Sequence, residues 1–158
     1  CGDAFLPELV MAGEAMKAAI AVLEPAMMAS GVTRQVLGTV VLATVEGDIH
    51  EIGKTLVGTM LTSSGFKVYD MGVDVPTADL IAKAEEVGAD IIGLSALLTT
   101  TMIKQKEVVD EIAKRGLKVM VMVGGAPVTK EWVQRIEADG YSEDAIGAVS
   151  VAKELMGL

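Results

Sequence analysis

The stretch VLGTVVLATVEGDIHEIG, residues 36–53, carries the pattern that decides the fold. Residues 36–45 are rich in β-branched side chains and carry no charge, which is typical of a strand buried on both faces of a sheet. From Gly47 the apolar residues follow helical spacing, and we predict a helix that runs to Ser64 and is capped by Gly65. The stretch therefore predicts a strand followed directly by a helix, the repeating unit of a parallel sheet.

The same alternation continues along the rest of the sequence. Short apolar runs predict strands at 66–69, 90–94 and 117–123 and around Tyr141. Five strands alternating with five helices predict an α/β fold of the flavodoxin-like, doubly wound type, with a parallel sheet in the order 2-1-3-4-5. The helices that follow strands 2 to 5 are predicted at 77–87, from Thr99 or Thr100 to Gly116, after a cap at Thr129, and at 142–155.

A separate amphipathic helix is predicted at residues 5–24, ahead of the sheet domain. Pro25 is expected to end or kink this helix, and a linker is predicted to start at Ser30. A lone helix cannot bury its apolar face by itself, and the sequence begins with Cys1 rather than Met. We therefore expect residues 1–33 to be a truncated part of a larger helical unit, and residues 34–158 to be one domain.

Composition and charge narrow the classes of function. The net charge of −9 repels phosphate backbones and anionic lipids, so we expect no nucleic-acid partner and no membrane partner. No apolar run reaches the roughly 18 residues of a membrane span. The single cysteine, Cys1, excludes an internal disulfide and is compatible with a reducing compartment, so we expect a cytoplasmic protein.

His50, the only histidine, is the first candidate for chemistry. In a fold of this type, ligands bind beyond the carboxyl ends of the strands, and His50 follows strand 1. Asp48 lies two residues earlier, and a metal-bound imidazole commonly donates its other N–H to a carboxylate. The alternative is a capping Asp48 beside an ordinary surface histidine.

Other residues after strands 1, 3 and 4 are expected at the same edge. Gly53 inside a helix fits either a flat ligand lying against the backbone or close packing of helix on sheet. The hydroxyl of Ser95 could complete a Ser–Asp–His relay with Asp48, or could bond to local backbone groups. Gly124-Gly125 could let a ligand tail slide against the sheet edge, or could form a simple turn.

The remaining motifs exclude several common sites. Zinc needs three or four protein ligands, and one histidine and one distant cysteine supply neither that number nor a Cys–His nucleophile pair. There is no Walker A sequence, and no G-x-G-x-x-G follows the first strand. A metal that arrives with its own equatorial ligands would need only one protein ligand.

Together, Asp48-x-His50-x-x-Gly53, Ser95-x-Leu97 and Gly124-Gly125 resemble the signature of cobalamin-binding domains over about residues 34–158. The resemblance implies that His50 is the lower axial ligand to cobalt, with Asp48 as its hydrogen-bond partner and Ser95 as the third member of the relay. It also implies a slot for the nucleotide tail of the cofactor. Its lining would comprise Gly53, Leu97, Gly124 and Gly125, with Thr99 and Thr100 as weaker candidates for hydrogen bonds to the nucleotide.

Residues 5–16 resemble the last helix of the four-helix cap in methionine synthase and in the corrinoid proteins of methylamine, methanol and O-demethylase systems. The resemblance implies a methyl carrier rather than a complete enzyme. Its cofactor would be cobalamin or a related corrinoid, passing through methylcobalamin and cob(I)alamin in turnover. Its partners would be a substrate-specific methyltransferase, an acceptor methyltransferase that uses tetrahydrofolate or a thiol, and a reductive activase.

Four alternatives remain. An adenosylcobalamin-dependent mutase subunit shares the signature but lacks a cap helix of the kind predicted at 5–24. A cobalamin-sensing regulator is disfavoured by the acidic balance and by the lack of a DNA-binding segment. A receiver domain would need an aspartate after strand 3, where this sequence has Ser95. The fourth is a domain of this fold without a cofactor.

Overall fold

The computed structural model describes residues 6–29 and 36–158, in which one helix precedes five successive strand–helix pairs. The predicted alternation is confirmed. The elements are α1 (Leu6–Ala29), β1 (Thr39–Thr44), α2 (Ile52–Ser63), β2 (Lys67–Asp70), α3 (Thr77–Val87), β3 (Ile91–Ser95), α4 (Ile103–Arg115), β4 (Met120–Gly124), α5 (Lys130–Ile136), β5 (Gly140–Tyr141) and α6 (Ala145–Leu155).

The five strands form one parallel sheet in the order β2-β1-β3-β4-β5, which confirms the predicted topology. Thr44 of β1 pairs with Ser95 of β3, which in turn pairs with Gly124 of β4. These three residues are the last of their strands. The loops that follow them, which carry the predicted site residues, therefore leave the sheet side by side at one edge.

Helices cover both faces of the sheet because alternate residues of each buried strand point to opposite sides. One face packs against α3, α4 and α5, and the other against α2 and α6. Large aliphatic side chains fill both layers, as the low aromatic content requires. On the first face lie Val41, Ala43, Ile92, Leu94, Val121 and Val123, and on the second lie Val40, Leu42, Ile91 and Met122.

The helix predicted to start at Gly47 starts later, at Ile52, because residues 46–51 form a loop. Gly47 has a φ of +82°, which ends the extended strand, and the Thr44 hydroxyl donates to the His50 carbonyl at 2.9 Å. Similarly, α4 starts at Ile103 rather than at Thr99 or Thr100. The loop after β1 therefore holds His50 outside a helix, at the edge of the sheet.

Helix α1 runs to Ala29, so the predicted end at Pro25 is wrong, whereas the alternative of a kink there stays a prediction. The predicted linker and the boundary after residue 33 lie outside the described residues. Helix α1 packs on α2 where Gly13 faces Thr59, and a side chain on Gly13 would overlap that threonine. None of the helices in the described part of the chain is long and apolar enough to cross a membrane.

Candidate functional site

His50 and Asp48 form a pair at the carboxyl end of β1. His50 Nδ1 lies 2.7 Å from Asp48 Oδ1, and the His50 backbone N–H also donates to that oxygen at 3.1 Å. The Asp48 side chain is completely buried, whereas 47% of the His50 side chain is exposed. Because Nδ1 is engaged, Nε2 is the ring nitrogen that remains for a ligand or metal.

The second oxygen of the Asp48 carboxylate is held by the loop after β3. Asp48 Oδ2 accepts the Leu97 N–H at 2.7 Å and the Thr101 hydroxyl at 2.8 Å. Burial alone raises the pKa of Asp48, but the hydrogen bonds from Leu97, His50 and Thr101 outweigh it and hold the pKa well below its usual range. Asp48 is therefore an ionised acceptor that orients the imidazole of His50.

The hydroxyl in this relay belongs to Thr101 and not to Ser95, which corrects the prediction. Ser95 is the last residue of β3, and it lines the cleft described below. The chain then turns at Leu98, whose carbonyl accepts the Thr101 N–H, and this turn brings Thr101 back over Asp48. The only sequence signal for Thr101 is its place in the run Thr99–Thr101.

A cleft of about 670 Å³ opens beside His50, between α2 and α6, over one face of the sheet. The sheet residues that line the cleft farthest from the loop edge are Leu42, Gly93 and Met122, and all three are apolar. They lie side by side on neighbouring strands, since Leu42 pairs with Gly93 and Gly93 with Met122. The polar lining residues lie nearer the loop edge. They are His50, Glu51, Lys54, Ser95, Ser142, Glu143 and Asp144.

The cleft brings together six of the residues predicted for the site: His50, Gly53, Ser95, Leu97, Gly124 and Gly125. Asp48 does not line the cleft, but its carboxylate contacts the ring of His50. The other two, Thr99 and Thr100, do not line the cleft, so their hydrogen bonds to the nucleotide stay a prediction. They are exposed in the turn between Leu98 and Ile103, so their side chains are outside the cleft lining.

Two glycines shape the cleft in different ways. A Cβ on Gly53 would have nothing within 4 Å, so this glycine leaves open space in the cleft, and its packing against the sheet is excluded. The α2 glycine that does pack on the sheet is Gly58, whose Cβ would lie 3.2 Å from Leu42. Gly125 has a φ of +128°, and a Cβ there would overlap the Ala96 backbone, so the end of β4 requires glycine.

Exposed aliphatic side chains surround His50 at the sheet edge. Ile49 and Ile52 are 74% and 66% exposed, and Leu97 and Leu98 are 40% and 44% exposed. An apolar patch beside a cleft is typical of a binding site for a large, flat ligand. Within residues 6–29 and 36–158, no three His, Cys, Asp or Glu side chains come together to hold a metal ion. The donor set therefore fits a metal that brings its other ligands with it.

Comparison with known proteins identifies the family. A family model described as the B12 binding domain matches residues 38–150. The chain belongs to the B12 binding domain family. Its cofactor is accordingly cobalamin or a related corrinoid, as the sequence motifs predict. The two loops that meet at Asp48, and the cleft beside them, lie entirely within the matched residues.

Relatives of this B12-binding chain include named corrinoid proteins. It is 48% identical over 159 residues to a corrinoid protein of Desulfitobacterium hafniense, covering 99% of this chain and 74% of the relative. It is 52% identical over 157 residues to the dimethylamine corrinoid protein of Methanosarcina barkeri, covering 98% and 73%. The predicted recognition of a corrinoid protein is confirmed.

Comparison with solved structures also finds corrinoid proteins and a cobalamin methyltransferase complex. The methanol:cobalamin methyltransferase complex of Methanosarcina barkeri matches with a TM-score of 0.87 and 35% identity, over 99% of this chain and 59% of that one. The monomethylamine corrinoid protein of the same organism matches with a TM-score of 0.73 and 38% identity, over 97% and 73%. A receiver domain from Mycobacterium tuberculosis, 16% identical with a TM-score of 0.60, shares the fold alone.

Proposed function

We propose that this B12-binding chain holds its corrinoid in the base-off, His-on form, with His50 Nε2 as the lower axial ligand to cobalt. The observation that carries the proposal is the 2.7 Å contact between His50 Nδ1 and the buried, ionised Asp48. This contact fixes the tautomer and the orientation of the imidazole ring, so that Nε2 is presented to the ligand side.

The cleft between α2 and α6 would take the displaced nucleotide tail. The open space at Gly53 would admit the tail past the first turn of α2, and Gly124 and Gly125 would leave the end of β4 without side chains. The apolar row of Leu42, Gly93 and Met122 would lie deepest, which suits an aromatic base. Ser95, near the edge, would be a polar contact for the tail.

We further propose that the chain is a methyl carrier between two methyltransferases. When bound, the corrinoid would supply the chemistry of methyl transfer, and this chain would supply its binding and orientation. The similarity to proteins named for dimethylamine, monomethylamine and methanol supports a donor-specific methyltransferase as one partner. An acceptor methyltransferase acting on tetrahydrofolate or a thiol, and a reductive activase, complete the proposed set. The chain itself would be no complete catalyst.

Residues 1–33 are proposed as the last helix and linker of a helical cap, and residues 34–158 as the corrinoid-binding domain. Helix α1 exposes Met11, Met16, Val22 and Leu23, which fits a helix with further packing partners. A chain shortened to residues 34–158 should then still unfold cooperatively and still retain corrinoid. Loss of its cooperative unfolding would contradict this division.

The ligand assignment is tested by reconstitution. The protein would be mixed with hydroxocobalamin, freed of unbound cofactor by gel filtration, and measured for cobalt content and visible spectrum. After reduction to cobalt(II), nitrogen superhyperfine splitting in the electron paramagnetic resonance spectrum would identify the axial ligand. We expect about one cobalt per chain. The nitrogen splitting should persist with a corrinoid whose lower base has no coordinating nitrogen, because the nitrogen would then come from the protein.

His50→Ala should remove the splitting and lower retention by at least the roughly 10- to 100-fold that loss of a ligand's hydrogen-bond partner costs. Thr99→Ala is the matched control, because Thr99 is exposed in the neighbouring loop and does not line the cleft. Retention and splitting unchanged by His50→Ala would exclude histidine ligation. Methyl carriage is tested separately, by adding a dimethylamine methyltransferase with its substrate to the reduced protein and looking for the methylcobalamin spectrum.

A further inference from the structure

Asp74, in the loop after β2, has a backbone conformation that non-glycine residues rarely adopt. Its φ is +54°. The other non-glycine residue of positive φ in the described ranges is Glu137, which ends α5 in the ordinary position for a left-handed residue. Asp74 ends no helix. A conformation of this kind persists only where surrounding contacts hold it, and such residues cluster near functional sites.

The contacts that hold Asp74 go to Gly47 and Asp48, which lie three and two residues before the histidine. Asp74 Oδ1 accepts the Gly47 N–H at 2.6 Å, and the Asp74 N–H donates to the Asp48 carbonyl at 2.9 Å. Asp48 is thereby fixed twice. Its carboxylate is held by the loop after β3, and its backbone carbonyl accepts the Asp74 N–H.

The same loop also contacts the chain beyond the histidine. Asp70, at the end of β2, pairs with Lys54 in the first turn of α2, and accepts the Gly72 N–H at 2.9 Å. Lys54 is buried, with 4% of its surface exposed. The chain from the end of β2 to α3 therefore contacts the His50 segment on both sides of the histidine. Asp74 bonds to the residues before it, and Asp70 pairs with Lys54 after it.

We propose that Asp74 is a positioning residue, which sets the placement of the Asp48–His50 pair toward the cobalt of the corrinoid. This inference rests on the proposed ligation by His50. Asp74 is exposed and lies outside the cleft lining, so it acts on the cofactor only through the loop that it holds. A small displacement of Asp48 moves the imidazole that it orients, and metal ligation tolerates displacements of only a few tenths of an ångström.

Three substitutions separate the two properties of Asp74. Asp74→Asn keeps both an acceptor oxygen and tolerance of the left-handed conformation, Asp74→Gly keeps only the conformational freedom, and Asp74→Ala keeps neither. The readout is the His-ligated fraction of a bound cobalt(II) corrinoid whose lower base has no coordinating nitrogen, measured from the nitrogen superhyperfine splitting. Thermal melting of each apoprotein records the structural effect alone.

We expect Asp74→Ala and Asp74→Gly to lower the His-ligated fraction by about three- to tenfold, below the range for direct partners of a ligand. Asp74→Asn should stay close to the unsubstituted protein. Asp79→Ala is the matched control, because it removes an exposed carboxylate from the nearby first turn of α3. It should leave the fraction unchanged.

If the unsubstituted protein shows His-ligated cobalt and Asp74→Gly matches it, the positioning role is overturned while the ligation stands. A fall of Asp74→Asn to the level of Asp74→Ala would also overturn it, because the acceptor would then be irrelevant. If the unsubstituted protein itself shows no histidine ligation, the proposed function fails first, and the inference falls with it.

Discussion

The Thr101 hydroxyl donates to Asp48 Oδ2 at 2.8 Å, although 53 positions separate the two residues in the sequence. The contact joins the loop after β1 to the turn after β3, and these two strands are neighbours in the sheet. Because the oxygen that accepts this bond belongs to the carboxylate that contacts His50, the orientation of the His50 ring depends on both loops.

Thr101→Val should lower the free energy of unfolding by about 1 to 3 kcal/mol, because it leaves a buried carboxylate one donor short. Ser95→Ala should change it by less than about 0.5 kcal/mol, as for a side chain without such a partner. Urea unfolding followed by circular dichroism measures both. A larger loss for Ser95→Ala than for Thr101→Val would restore Ser95 as the third member of the relay.

Asp48→Asn should make the free energy of unfolding change less as the pH falls into the acid range. The pKa of Asp48 lies below its ordinary value of 3.8 in the folded protein, so its ionisation stabilises the fold fully above that pH. This contribution is lost as the pH falls through the folded pKa. The variant should therefore be about 2 kcal/mol less stable at pH 7, and the gap should narrow below pH 4. Urea titrations of the apoprotein between pH 7 and pH 2.5 measure the gap, and a constant gap would contradict the assignment.

Gly53→Ala should separate binding from stability. A Cβ at this position meets nothing within 4 Å, and alanine is a better helix former by up to about 1 kcal/mol, so the apoprotein should be as stable or slightly more stable. The methyl group occupies the cleft, so corrinoid retention should fall. Ser63→Ala at the other end of α2, outside the cleft lining, is the control for helix effects. Unchanged retention in Gly53→Ala would place the cofactor elsewhere.

Gln105→Leu should cost about 2 to 3 kcal/mol of stability. Gln105 is fully buried, and its Nε2 donates to the carbonyls of Leu94 and Gly124 at 3.2 Å while its Oε1 accepts the Trp132 indole N–H at 3.0 Å. Trp132→Phe should then cost less in the Gln105→Leu background than alone, with a coupling of about 1 kcal/mol. Circular dichroism is the readout, since Trp132 is the only tryptophan. Strict additivity would contradict the coupling.

The sheet order could be predicted from sequence because buried parallel strands leave a clear signal, a short uncharged run such as residues 36–45. The edge that carries the site followed from that order, since Asp48, Ser95 and Gly124 each come at or just after the end of a strand.

The start of α2 was misplaced for a physical reason. Ile49 and Ile52 continue the helical spacing backwards, but both are exposed beside the cleft. Apolar residues that line a cleft therefore give the same spacing in the sequence as apolar residues that pack in a core.

The hydroxyl of the relay could not be assigned from sequence. Ser95 and the threonines up to Thr101 all follow β3, and any of them could reach Asp48 if the backbone turned suitably. The choice depends on the turn at Leu98, whose carbonyl accepts the Thr101 N–H. No residue in that turn has a distinctive conformational preference. The same holds for Asp74, whose left-handed conformation depends on contacts with residues nearly 30 positions away.

The cleft is lined by residues from Leu42 on β1 to Ala148 on α6, so nearly the whole sheet domain contributes to it. Translation at about 5 to 20 residues per second needs roughly 5 to 20 seconds to pass from the first of these residues to the last. During that interval the nascent chain carries His50 without a slot for the cofactor. Corrinoid loading is therefore a late event in the life of each new molecule.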